Sequence, residues 1–196
     1  MYAYIEGTLA VKEPAYMVID VGGIGYELKI SLNTYSALKN HDKAKVHTYL
    51  HVKEDAMILF GFYNKTEKET FLHLISISGV GPGTALMILS SLTPNELQDA
   101  ILSGEVSRIQ RVKGIGAKTA QRIILELKDK FAKGDLGNKE LNMNISHNTK
   151  RNEALTALTT LGINKAIAEK TVDSILKNSD GELTLEDLIK QALKTS

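Results

Sequence analysis

Cysteine and tryptophan are absent from the 196 residues. Without cysteine there is no disulfide scaffold, no thiolate nucleophile and no Cys-ligated zinc or iron–sulfur centre. Long apolar runs are missing too. Nowhere do about 18 apolar residues stand together, so no bilayer-spanning helix is expected. The opening Met1-Tyr2-Ala3-Tyr4-Ile5-Glu6-Gly7 has neither a basic start nor an apolar stretch of signal-peptide length. An excess of one charge sign is lacking as well: 24 basic side chains face 23 acidic ones, for a net charge of +1. Such a balance argues against a nucleic-acid binder. The distribution along the chain reverses that argument. Residues 63–133 carry 10 basic and 7 acidic side chains, whereas residues 1–62 and 134–196 each carry one more acid than base. The charge is segregated. With 43% hydrophobic and 24% charged residues, the chain has the composition of a globular, intracellular protein of one ordinary domain or two or three small ones.

Periodicity divides the chain into zones. Residues 1 to about 62 read as strands: Tyr2 to Val11, Tyr16 to Val21, the alternating Tyr26-Glu27-Leu28-Lys29-Ile30, Val46 to Val52, and Ala56 to Phe62. Turns fall at Gly22-Gly23-Ile24-Gly25 and Glu54-Asp55. A short helix near Asn33 to Lys39 follows the third strand, which is the element order of a small OB-type barrel. From 64 to 133 the period becomes helical. Thr66-Glu67-Lys68-Glu69 and Thr93-Pro94-Asn95-Glu96 both predict capping boxes, with Thr66 and Thr93 as caps. Periodicity then lapses over 134–149, a glycine- and asparagine-rich stretch expected to be a flexible linker. Three short helices follow, at about 151–161, 164–177 and 184–195. Gly162 is placed to end the first, Asn164 to cap the second, and Thr184 with Asp187 to cap the third.

The chemistry lies in an internal repeat. Leu74 to Leu89 and Ile109 to Leu125 align on glycine as apolar-x-x-apolar-x-Gly-apolar-Gly-x-x-Thr-Ala-x-x-apolar, thirty-five residues apart. This is the helix-hairpin-helix pattern. Its glycine pairs, Gly79 with Gly81 and Gly114 with Gly116, permit a tight turn with positive φ and let backbone approach a ligand closely. Val80 and Ile115 pin each turn to its helices. The next helix starts at once, so its free amides and positive dipole end form a nest for a phosphate oxygen. Two copies give two phosphate grips, one per strand of a duplex, without reading base edges. The expected contacts are Gly79, Val80, Gly81, Gly83 and Thr84 in the first copy, and Gly114, Ile115, Gly116, Lys118, Thr119 and Arg122 in the second. Arg108, Arg111, Lys113, Lys118 and Arg122 add five basic side chains with no acid among them, and Lys118 and Arg122 share a helix face.

Other readings of the same residues fail on spacing. Gly79-x-Gly81 imitates a dinucleotide fingerprint, but Thr84 stands where its third glycine belongs. Gly116-Ala117-Lys118-Thr119 imitates a P-loop ending, but Ala117 separates glycine from lysine. His47 and His51 lie about 13 Å apart along a strand, too far to share a metal. No metal site and no cofactor are expected. A hairpin-bearing repair nuclease, or its non-catalytic DNA-binding subunit, is the alternative. Glu54-Asp55 is its nearest metal candidate, although an adjacent pair on a turn rarely converges on one ion.

Taken together, the opening Met1–Gly7, the Gly22-Gly23-Ile24-Gly25-Tyr26 turn, His51-Val52-Lys53-Glu54-Asp55-Ala56, Leu59-Phe60-Gly61-Phe62 and the two hairpins resemble the RuvA family. These are the Holliday-junction-binding subunits of the bacterial branch-migration complex, and the resemblance runs end to end. It implies an α+β multidomain chain: an OB-fold β-barrel domain over 1–63, an all-α tandem helix-hairpin-helix domain over 64–133, the linker 134–149, and a three-helix, UBA-like motor-binding domain over 150–196. It also implies a cytoplasmic, non-catalytic subunit acting in recombination and repair. Four copies would each hold one arm of a four-way junction, as a homotetramer sometimes doubled into an octamer. The implied partners are the RuvB ATPase motor and the RuvC resolvase. Glu54 and Asp55 would be the acidic pins at the tetramer centre. From the residues alone the pair is a polar turn between strands. Leu155, Leu158, Leu161 and Ile163 offer both core and motor-docking surface. Family members often carry lysines where this chain has Gly83 and Ala117, so side-chain help is lost there while the backbone grip remains.

Overall fold

The computed structural model describes residues 2–132, 146–178 and 183–195. The chain divides into two compact units, Met1–Gly137 and Asn138–Ser196. In the first, five strands close a barrel: β1 (Tyr4–Glu13), β2 (Tyr16–Val21), β3 (Ile24–Ile30), β4 (Lys43–Val52) and β5 (Met57–Phe62). Their order around the barrel is β1-β2-β3-β5-β4, with β3 and β5 parallel and the other pairs antiparallel. The period-two pattern turns Ile5, Leu9, Met17, Ile19, Leu28, Ile30 and Val46 inward, where α1 (Leu32–Leu38) adds Leu38. Closure needs Gly61, since a Cβ there would meet Leu28 Cδ2 and Val46 Cγ1 at 3.0 Å.

Helices α2 (Lys65–Ile75), α3 (Pro82–Ser91), α4 (Pro94–Ser103), α5 (Val106–Gln110) and α6 (Ala117–Ala132) complete this unit. Phe60 and Phe62 of β5 join the helical core: the Phe62 and Phe71 ring centroids lie 4.8 Å apart, and those of Phe60 and Phe71 lie 5.2 Å apart. The expected box at Thr93 is present, with Thr93 and Glu96 each bonding the other's backbone. Capping of α2 differs from expectation. Asn64, extended as the chain leaves β5, accepts from the Glu67 amide at 2.8 Å, so the cap lies two residues before Thr66. Thr66 sits inside the first turn, where its carbonyl accepts from the Thr70 hydroxyl.

That shift puts Glu67 at the third helical position, and its carboxylate reaches the barrel's α1. The hydroxyls of Ser31 and Thr34, at the start of α1, each donate to one Glu67 oxygen. Burial pushes the Glu67 carboxyl above the usual carboxylate range, and those hydroxyls pull partly against it. Asn33 adds a side-chain donor to the Leu92 carbonyl at 3.3 Å, at the end of α3. Glu67→Ala leaves Ser31 and Thr34 buried without their acceptor and is expected to cost about 3 kcal/mol, read from urea denaturation. The native state holds the Glu67 proton more tightly than the unfolded chain does. Stability from this group therefore falls as pH rises from the ordinary glutamate range through the raised value. Wild type should show that fall and Glu67→Ala should lack it.

In the second unit α7 (Ser146–Thr160), α8 (Lys165–Asn178) and α9 (Leu185–Thr195) enclose Ala154, Leu155, Leu158, Ala168, Val172, Leu188 and Ala192. Helix α7 begins at Ser146, inside the stretch 134–149 read as linker, because residues 146–149 include no glycine or proline to stop it. Residues 134–145 of that stretch lie outside the described residues. Gly162 ends α7 at φ 93°, and the Asn164 side chain accepts from the Ala166 amide at 2.9 Å. Thr184 accepts from the Asp187 amide at 3.2 Å. Arg151 grips Asp173 with two nitrogens, at 2.5 and 2.8 Å, tying α7 to α8. Burial apportions the four residues offered as both core and docking surface. Leu155 and Leu158 are core residues and Ile163 packs against them, whereas Leu161 is 63% exposed. Among the described residues no helix is long and apolar enough to cross a membrane.

Candidate nucleic-acid interface

The two hairpins share one hydrogen-bond plan, displaced by thirty-five residues. The Ile77 amide donates to Leu74, as Val112 does to Ile109, both at 3.1 Å. Val80 donates to Ile77 at 3.0 Å and Ile115 to Val112 at 3.1 Å. Ala85 donates to Gly81 at 2.9 Å and Ala120 to Gly116 at 3.0 Å, opening α3 and α6. Val80, Ile115, Ala85 and Ala120 all lie in the same buried core, which joins the two turns in one platform. Lys130, near the end of α6, reaches back to the Ser76 hydroxyl of the first hairpin at 3.1 Å.

The glycines divide their labour more sharply than spacing suggested. Only the first of each pair takes a positive φ, 91° at Gly79 and 85° at Gly114. Gly81 is extended at φ −83°, and neither Gly81 nor Gly116 has a heavy atom within 4 Å of where a Cβ would stand. The protein itself does not need these second glycines bare. Their missing side chains leave open the space over the helix start. Gly81 gives α3 no side-chain cap, and the Gly83 and Thr84 amides of its first turn, like those of Lys118 and Thr119 in α6, have no partner among the described residues. Each turn is therefore a set of outward-aimed donors at the positive end of a helix, suited to a phosphate oxygen.

Side-chain charge is more tempered than the sequence window implied. Arg122 is held by Glu126 at 2.6 Å, one helical turn on, and Arg108 faces Glu96 at 3.7 Å. Both acids lie outside the basic window but next to it in space. Arg111, Lys113 and Lys118 are exposed and form no ion pair among the described residues. Elsewhere, His47 is held below the usual histidine range by partial burial and by Lys68, Lys65 and Lys45. Glu54 and Asp55 stand exposed at the tip of the β4–β5 hairpin, where the Lys53 amide donates to Ala56 at 2.8 Å. They belong to the barrel and lie outside the core that joins the two helical turns.

Family models match the chain in three pieces: a RuvA N terminal domain over residues 1–61, a SAM-like helix-hairpin-helix tandem over 71–129, and a RuvA C-terminal domain over 149–196. A relative from Cytophaga hutchinsonii, named Holliday junction branch migration complex subunit RuvA, is 59% identical over the full length of both chains. The chain belongs to the RuvA family. Further RuvA relatives bear the same name. One from Amoebophilus asiaticus is 51% identical over 99% of this chain and 100% of its own, and one from Geotalea daltonii is 41% identical over 99% and 98%. Within the chain, the tandem match spans both hairpin turns, and the N-terminal match runs from β1 into the last strand, β5.

Proposed function

We propose that this chain binds four-way junction DNA through its two hairpins and serves as the non-catalytic subunit of a branch-migration complex. One observation carries the reading: two amide nests of identical hydrogen-bond plan, set in one core and left open at Gly81 and Gly116. Two nests suit the two strands of one arm, and four copies of the chain would take the four arms, as a tetramer or a face-to-face octamer. Contacts to phosphate make affinity steeply salt-dependent and nearly blind to sequence. The barrel (1–63) centres the assembly, the hairpin domain (64–133) grips DNA, and the C-terminal domain (150–196) docks the RuvB motor, with RuvC as a further partner. Energy for strand exchange then comes from the ATPase. The setting is the bacterial cytoplasm.

Glu54 and Asp55 are the acidic pins in this scheme. Carboxylates at a crossover repel the phosphates of strands that would otherwise re-pair there. The test is a gel shift of a four-way junction against linear duplex, with the mass of the complex measured by light scattering. The junction should be strongly preferred, and equal affinity for both substrates would sink the proposal. In the same assay Glu54→Gln with Asp55→Asn should tighten junction binding roughly thirtyfold, since each charge costs about 1 kcal/mol beside a phosphate in water. Metal-dependent strand scission that this double variant loses would support the nuclease alternative instead.

A further inference from the structure

The two hairpins follow one backbone plan but present unlike side chains. At the thirty-five-residue offset, Gly83 occupies the place of Lys118 and Met87 that of Arg122. Helix α3 has no charged residue at all, so the first grip lacks the cations of the second. Met87 is 42% exposed although Ile88 and Leu89 beside it are fully buried. Its methyl group comes within 3.6 Å of the point where a Cβ on Gly114 would stand, so the side chain leans from the first hairpin toward the turn of the second. The equivalent point at Gly79 has no heavy atom within 4 Å, and Arg122 is engaged by Glu126. The asymmetry is specific to Met87.

A duplex held with one strand on each turn places a groove over the space between the turns. An exposed side chain in that space faces deoxyribose and base edges, and a flexible thioether adapts to such an irregular apolar surface. We infer that Met87 contacts the groove of the bound arm between the two phosphate grips. The first hairpin then holds its strand by backbone amides and apolar contact, and the second by amides and cations. This rests on the reading of the hairpins as a duplex grip.

The absence of native cysteine makes the test clean. Met87→Cys, labelled with a tethered hydroxyl-radical cleavage reagent and bound to a four-way junction, should cut both strands of an arm at facing positions across one groove. Glu13→Cys, exposed at the end of β1 in the barrel, supplies the background. Labelled protein that shifts the junction yet cuts no more than this control overturns the inference. If unlabelled wild-type protein fails to shift the junction, the duplex-grip reading itself has failed, which is a separate result. Met87→Ala should weaken junction binding roughly fivefold with the slope of log affinity against log salt unchanged, whereas Lys118→Ala should reduce that slope by about one unit. A lowered melting temperature with affinity intact would make Met87 a packing residue only and overturn the inference as well.

Discussion

Gly81→Val combined with Gly116→Val is expected to leave a folded protein whose affinity for a four-way junction is about a thousandfold lower. The expectation follows from the separation of roles within each glycine pair. Both positions have ordinary backbone angles and open space where a Cβ would go, so the fold tolerates the new side chains. The cost to the protein is the poorer cap that valine makes at a helix start, about 1 kcal/mol per helix. A ligand meets a different situation, because each isopropyl group stands over the first-turn amides. Loss of charge-assisted hydrogen bonds at about 2 kcal/mol per nest gives about 4 kcal/mol for the pair, or three orders of magnitude in affinity. Gly79→Val and Gly114→Val test something else. Those residues sit at φ 91° and 85°, where a β-branched side chain is strained, so they should lower the melting temperature as well as the affinity. Fluorescence anisotropy with a labelled junction, alongside thermal denaturation of each variant, separates the two effects. A Gly81→Val/Gly116→Val protein that melts near wild type and still binds at wild-type strength would remove the amide nests from the argument.

Much of this site was legible because a repeat in sequence is a repeat in backbone geometry. Glycine spacing, the apolar residue between each pair and the alanine that follows located both turns and the helices they open. What escaped was decided by partners distant in sequence. Thr66 has the right neighbours for a capping box, but the chain leaves β5 so directly that Asn64 reaches the helix first. Glu67 reads as one acid among several in a helical turn. Its burial against Ser31 and Thr34 depends on a barrel helix more than thirty residues away. Arg122 lies in a window free of acids, yet Glu126 is one helical turn beyond that window and lies beside it. Leu155, Leu158 and Leu161 are alike as residue types, and only the packing of α8 and α9 buries two of them and leaves the third outside. Met87 carries no motif. The single sequence signal that singles it out is its place opposite Arg122 in the repeat.

Deletion of residues 138–196 is expected to leave junction affinity unchanged and to abolish acceleration of the RuvB ATPase. The chain divides at this point into two units, and each has a core of its own. Among the described residues, the barrel and helical cores draw on residues up to Leu127, and the second unit's core on residues 154–192. The remaining protein is expected to keep the barrel and hairpin cores, with a melting temperature within a few degrees of wild type. Within the second unit Leu161 has the attributes of a docking residue. It is exposed, apolar and placed just before the Gly162 turn, so Leu161→Asp leaves the core intact while spoiling an apolar contact. ATPase rates measured with junction present should fall for the truncated chain to the level of the motor alone, and for Leu161→Asp toward it. Anisotropy should give equal junction affinities for all three proteins. A truncated chain that still stimulates the motor would move the coupling surface to the barrel or the hairpin domain. A truncated chain that loses junction binding would mean that the second unit shares in the DNA contact.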